Sequence, residues 1–264
     1  MTKVRISKTT IKALAILEKL NEFGEASNAA VAEGLKIPRA TTYRLLETLR
    51  VAGMVEKDVD THTYRPAERA LALSCGFEQE AWISAAAKPQ IDELGAQLLW
   101  PIAIATLAGT SMLLRETTDR DSPLVVRRYL RGRRVDIRST ATGRVYLAHC
   151  IPEQREALLQ MLRLRGSSSA QHPSLSSTKI LERRLHEIRQ VGFDTSKAHV
   201  SPIAWCAMAV PVFSGKQVIA SLSVRYADRA VSKAKQRDEI LPALFRTAEL
   251  ISASFHSRST SETA

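Results

Sequence analysis

The stretch SNAAVAEGLKIPRATTYRLLETLRVAGMVEK, residues 27–57, constrains the fold of this 264-residue chain more than any other. It reads as two short helices separated by a tight turn and followed by the first strand of a hairpin. That order is a winged helix-turn-helix, whose second helix enters the DNA major groove. Ser27 can cap the first helix through its hydroxyl. Gly34 is expected to end it, because glycine takes the left-handed conformation without Cβ strain. Pro38 is expected to open the next helix at its first position, where a missing N–H costs nothing. Thr42, Leu45, Leu46 and Leu49 fall at helical spacing and predict an inner face. The outward side then carries Arg39, Thr41, Tyr43 and Arg44, groups that reach phosphates and base edges. Any one amphipathic helix can carry arginines on a solvated face; the order of parts favours DNA.

The flanks extend this reading. Ile11, Leu14, Leu17 and Leu20 recur on a three-residue step and predict a packing helix over residues 8–23, closed by Phe23. Met54–Lys57 and His62–Arg65 predict two strands around an Asp58–Thr61 turn. On such a wing Lys57, His62 and Arg65 are placed to neutralise phosphate charge. Pro66 stops the strand, and Glu68–Leu73 resumes helical spacing as a linker.

Net charge of +11 fits a polyanionic partner, but it is not concentrated here. Residues 1–77 hold 12 Lys+Arg against 9 Asp+Glu, a net of +3, so +8 lies beyond them. Much of it is Arg127, Arg128, Arg131, Arg133, Arg134 and Arg138, read as a solvated basic hairpin. No apolar signal core opens the chain and no stretch approaches a membrane span, so the expected location is cytoplasmic. Cys75, Cys150 and Cys206 have no paired spacing, and Cys206, in an apolar run, is expected to be a core thiol. The six histidines form no metal or triad spacing, and the serine of STATG lacks a GxSxG elbow. No catalytic residue, metal site or cofactor is therefore expected.

Beyond residue 81 the pattern changes. Residues 84–99 predict a helix, interrupted early by Pro89. Ile102–Leu107, Ser111–Glu116 and Leu124–Tyr129 predict three strands, the first two hinged at Gly109–Thr110. Residues 153–165 and 178–191 predict amphipathic helices around the Ser-rich loop Gly166–Ser177. Met208–Phe213 and Gln217–Tyr226 predict a strand pair, and Lys233–Phe255 a final helix before a polar, frayed tail.

In order along the chain, IPRATTYRLLETLRVAGMVEK, TYRPAERALAL, STATGRVYLAH, VGFDTS, AMAVPVF and VIASLSV resemble the IclR family of bacterial transcription regulators. The family commonly has a small hydroxyl residue where Ala40 stands, and often an apolar one at Thr42. The words WIS, LLWP and RETT are similar to activators of hydroxyphenylpropionate and related aromatic-acid catabolism. The resemblance implies an α+β chain. Its parts are a winged helix-turn-helix domain over 1–66, a linker helix over 67–80, a GAF-like α/β effector domain over 81–256 and a flexible tail over 257–264. It implies a homodimer or homotetramer on a near-palindromic operator, with RNA polymerase as partner if it activates. DNA contacts would be Arg39, Thr41, Tyr43, Arg44, Lys57 and Arg65. The effector site would comprise the loop Ala141, Thr142 and Gly143, with Arg144 replacing the usual lysine, and Trp205, Ala207, Ser223 and Arg225 on two late strands. The Arg225 guanidinium can hold a carboxylate through two hydrogen bonds and Trp205 can pack against an aromatic ring, so an aromatic carboxylate is the expected effector. A repressor answering a non-aromatic acid, an enzyme with an appended DNA-binding module, and a non-specific DNA binder stay open as alternatives.

Overall fold

Two compact units, Met1–Gln79 and Glu80–Ala264, make up the computed structural model, which describes residues 7–74, 81–125, 128–164, 178–200 and 203–261. Cys75, Arg127 and the Ser-rich segment 166–177 lie outside the described residues.

In the first unit, α1 (Lys8–Phe23) starts at Ser7, whose Oγ accepts from the Thr10 amide, and ends at Gly24 with φ 77°. It buries Ile16 and Leu20, while Ile11 and Leu14 stay exposed. The predicted face was therefore wrong at its start. At 3.6 residues per turn a three-residue step drifts by about 60°, which carries Ile11 to the side opposite Leu20. A two-residue strand, β1 (Ala26–Ser27), precedes α2 (Asn28–Leu35), which Ser27 caps through the Ala30 amide. Lys36, not Gly34, takes the left-handed conformation, with φ 54°. Gly34 stays helical, and its missing Cβ leaves room for Lys19, whose Cε would lie 2.7 Å away.

Pro38 precedes α3 (Arg39–Val51) as its cap rather than its first residue, and its carbonyl accepts from the Thr42 amide at 3.0 Å. The inner face is Thr42, Leu45, Leu46 and Leu49, as the spacing predicts. These leucines pack with Ile16, Leu20, Val31, Val55 and Tyr64 in one core. β2 (Val55–Lys57) and β3 (Thr63–Pro66) form the hairpin, with sheet order β1-β3-β2. Asp58 Oδ1 closes its turn by accepting from the amides of Asp60 and Thr61, both at 2.9 Å. A 3-10 helix over Glu68–Ser74 follows.

The second unit opens with α4 (Ala81–Leu98), which continues through Pro89. Buried Ile83, Ala86 and Ala87 before the proline, and Ile91 and Leu94 after it, hold both halves against the same core. Then come β4 (Ile102–Ala108) and β5 (Ser111–Thr117), joined through Gly109 at φ 63°. The third strand is β6 (Arg134–Asp136), not Leu124–Tyr129. The latter run is irregular where described, and its last residue, Tyr129, gives its amide to the Asp119 carboxylate at 2.6 Å. α5 (Ala141–His149), α6 (Pro152–Leu164) and α7 (Thr178–Val191) lead to β7 (Asp194–Val200), β8 (Ile203–Ser214) and β9 (Gln217–Ala227). α8 (Lys233–Lys235), a π turn over Gln236–Ile240 and α9 (Leu241–Ser261) finish the unit.

The six strands pair antiparallel in the order β6-β5-β4-β9-β8-β7. One sheet face, with Ile102, Ile104, Met208, Val210, Leu222 and Val224, packs under α4 and α9. The other packs under α5, α6 and α7 through Met112, Leu114, Val145, Leu158, Leu185 and Ile188. Its middle is lined by small side chains, Ala103, Ala105, Ala209, Ser221 and Ser223, which lets α5 approach closely. Gly143 completes that approach: a Cβ there would lie 2.3 Å from the Cα and carbonyl oxygen of Ile137. Among the described residues no helix is long and apolar enough to cross a membrane.

Backbone cannot swing aside as a side chain can. Gly143→Ala is therefore expected to destabilise the second unit by about 1–3 kcal/mol, the usual cost of overpacking. The check is thermal unfolding followed by tryptophan fluorescence, since Trp82, Trp100 and Trp205 all lie in that unit.

Candidate functional site

Burying one side of α3 leaves Arg39, Tyr43 and Arg44 exposed and Thr41 partly so. The start of the helix is held by Asn28, whose Nδ2 donates to the Arg39 carbonyl at 3.3 Å. The wing is tied to the same helix by Tyr64, whose hydroxyl donates to Glu47 at 2.9 Å, while Arg50 Nε donates to Glu47 at 2.9 Å. Burial, with help from Glu47, pushes the Tyr64 phenol up to about 12. The Arg50 hydrogen bond holds Glu47 below its ordinary value. At neutral pH the phenol thus keeps its proton and the carboxylate its charge. Lys57 Nζ lies 6.0 Å from the Tyr43 ring centre and 5.5 Å from that of Tyr64, within cation–π range. Arg65 is paired with Glu56 at 2.9 Å, and His62 adopts a left-handed φ of 54°. The outer face of α3 and the Lys57 side of the wing therefore present cations and hydroxyls from a braced framework. Sequence spacing located the outward residues; it missed Asn28, Glu47 and Tyr64, whose roles depend on contacts between elements.

On the second unit's small-residue face, register aligns two rows across the sheet. Ser196, Ala207 and Arg225 are direct neighbours on β7, β8 and β9. Asp194, Ala209, Ser223, Ala103 and Thr117 form the row beside it. Ala141, Thr142 and Gly143, expected in a loop, are the first turn of α5. Thr140 caps that turn: its Oγ1 accepts from Gly143 N at 3.1 Å. The Ala141 amide donates to Ser196 Oγ at 3.1 Å. The partial positive charge of the helix N-terminus is thus brought to one end of the Ser196–Ala207–Arg225 row. Arg225 stands at the other end, two strand spacings or about 10 Å away.

Arg144 does not reach toward this row. Buried at 4% exposure, it gives Nε to Asp194 Oδ2 at 2.6 Å, and its remaining donors go to carbonyls of Ser139 (2.7 Å) and Thr195 (3.1 Å). Asp194 is fully buried and also takes Arg184 Nε at 3.1 Å. This network clamps α5 to β7 and α7. An arginine spans it where a lysine could fill only one direction.

Arg225 is engaged as well. Its Nη2 donates to Asp119 Oδ2, and its guanidinium carbon lies 3.9 Å from the Tyr129 ring centre. Ser223 Oγ donates to the Ala103 carbonyl at 3.3 Å. Trp205, whose pair with Ala227 is the next same-face pair after Ala207–Arg225, packs edge-on to Trp100 at 6.4 Å and joins the cluster that includes α4 and α9 residues. The expected residues thus gather at the first turn of α5 and along β8 and β9, where Trp205 stands two residues before Ala207 and pairs with Ala227.

Other expectations resolve locally. Arg131 pairs with Glu116 at 3.1 Å and Arg134 donates to the Ala108 carbonyl at 2.9 Å, so part of the basic run folds back onto β4 and β5. Cys150 is buried, whereas Cys206 is only partly so and hydrogen-bonds Asp228 at 3.1 Å. Burial pushes both thiols up to about 11. Among the described residues no group of three His, Cys, Asp or Glu side chains is placed to hold a metal.

Comparison with known proteins agrees with both units. Residues 9–59 match the IclR helix-turn-helix domain, and residues 78–253 match the bacterial transcriptional regulator IclR C-terminal region. The HTH-type transcriptional regulator KdgR of Escherichia coli (strain K12) is 26% identical over 247 residues, covering 93% of this chain and 91% of its own. The Pca regulon regulatory protein of Pseudomonas putida is 24% identical over 217 residues, 82% of this chain and 72% of its own. A solved IclR homolog from Microbacterium hydrocarbonoxydans, complexed with 4-hydroxybenzoate, aligns with a TM-score of 0.65 at 18% identity, covering 95% and 100% of the two chains.

The clamp gives a stability prediction. Asp194→Ala leaves Arg144 charged and buried, and should cost the second unit about 3–5 kcal/mol in urea unfolding. Replacing Arg144 and Asp194 together by Met and Leu should cost far less, because no lone charge is left behind.

Proposed function

This chain belongs to the IclR family of bacterial transcriptional regulators, and we propose that it activates an aromatic-acid catabolic operon in response to an aromatic carboxylate. The observation that carries the effector class is the Ser196–Ala207–Arg225 row. It joins a helix N-terminus to a guanidinium across a partly exposed alanine, a spacing suited to a one-ring acid. The likeness to a homolog complexed with 4-hydroxybenzoate and to the Pca regulon regulatory protein supports the same class. Activation rests on the similarity of WIS, LLWP and RETT to activators of hydroxyphenylpropionate catabolism.

DNA binding is assigned to Arg39, Thr41, Tyr43 and Arg44 on α3, with Lys57 and Arg65 on the wing as phosphate contacts. Two copies in a dimer, or a dimer of dimers, would place their α3 helices in successive major grooves of a near-palindromic operator. Arg65 shares its charge with Glu56, so Lys57 is the stronger phosphate contact of the two. The protein works in the cytoplasm, where its DNA is. An effector changes operator affinity or polymerase contact only by as much as it binds one arrangement better than the other.

Two outcomes test this reading. Arg44→Ala should weaken operator binding by about 1–3 kcal/mol while binding to random DNA changes little; equal losses on both would make Arg44 a phosphate contact. In transcription from the adjoining promoter with purified RNA polymerase, a hydroxybenzoate or hydroxyphenylpropionate should raise the transcript only when the protein is present. A protein that silences the promoter until an acid is added would be a repressor instead.

A further inference from the structure

Arg225 holds a carboxylate of its own chain. Asp119, fully buried, accepts from Arg225 Nη2 and from the Tyr129 amide at Oδ2, and from Thr117 Oγ1 at Oδ1. The guanidinium carbon also lies 3.9 Å from the Tyr129 ring centre, and that of Arg133 lies 4.0 Å from the same centre. Of the two partners only Arg225 is reachable, at 14% side-chain exposure against 0% for Asp119. Its neighbour on β8, Ala207, is partly exposed and contributes only a methyl group.

We propose that Asp119 is a built-in counter-ion that occupies the effector's place on Arg225, so that a ligand carboxylate binds there by exchange with Asp119. The inference rests on the reading of this face as the effector site and adds its regulation. Like replaces like at the guanidinium, so geometry is conserved. After the exchange Asp119 keeps the Thr117 hydroxyl and the Tyr129 amide as donors, and the loss of its guanidinium is the cost that the ligand must offset. Arg225 itself is not released: it keeps the Tyr129 ring beside it, and its backbone amide donates to the Pro101 carbonyl at 3.0 Å.

What the exchange removes is one tie between Arg225 on β9 and Asp119, which also holds the Tyr129 amide. That supplies the differential contact a ligand needs to bias one arrangement over another. The counter-ion also sets specificity. A neutral ring cannot compete with Asp119, and a weakly bound anion gains too little. A ligand is held when its carboxylate replaces Asp119 while its ring covers Ala207.

The test is a calorimetric titration of the full-length protein with benzoate and 4-hydroxybenzoate, comparing wild type with Asp119→Asn. Asparagine keeps the shape and an acceptor while removing the competing charge. Affinity for both acids should rise about 10-fold or more, and Arg225→Gln added to Asp119→Asn should abolish the gain. If Asp119→Asn proves too unstable to titrate, Asp119→Ser gives the same readout. Tighter binding by the variant alone, with a silent wild type, would support the counter-ion and overturn the aromatic carboxylate as natural effector. Wild-type binding that the variant leaves unchanged or weakens would keep the effector reading and overturn the counter-ion. No binding by either protein would overturn both.

Discussion

The second unit depends on the ion pair between Arg144 and Asp194. Charges so deeply buried are tolerated only when their hydrogen-bonding capacity is filled, and here it is: Arg144 meets one carboxylate and two carbonyls at 3.1 Å or less, and Asp194 takes a second guanidinium from Arg184. The pair is directional where an apolar contact would not be. It fixes the rotation of α5 about its own axis, with Gly143 against the Ile137 backbone and the Ala141 amide against Ser196. The placement of the helix N-terminus at one end of the Ser196–Ala207–Arg225 row follows from that orientation.

A comparable economy of parts operates in the first unit. Four buried residues of α3 orient it, Asn28 pins its first carbonyl, and the Tyr64–Glu47 bond fixes the wing against it. None of these groups is itself directed outward. They hold Arg39, Tyr43 and Arg44 at rigid positions, and rigid placement of a few side chains is what base readout requires.

Much of this was legible in the sequence, and the exceptions share a cause. The α3 face, the Ser27 cap, the Asp58 turn and the β8–β9 pair follow from local spacing and turn chemistry, which a linear pattern records directly. The misplacements came where a distant partner decided the outcome. Lys19 lies over Gly34, so glycine stays in the helix and Lys36 turns the chain. An apolar run that reads as a strand is irregular where described, and its last residue, Tyr129, gives its amide to Asp119. Arg225 itself was noticed for its charge, whereas the acid that neutralises it stands 106 residues away and left no local signal.

On the proposed function, an aromatic carboxylate bound by the second unit changes the affinity of the first for a specific DNA site. Fluorescence anisotropy of the full-length protein on its own upstream intergenic DNA tests this most directly. It would be run at fixed salt against scrambled competitor, with and without hydroxybenzoates and hydroxyphenylpropionates. The account predicts specific binding whose midpoint shifts with one of these acids and not with its amide. Binding that ignores every acid, or that fails to distinguish the upstream DNA from scrambled sequence, would contradict it.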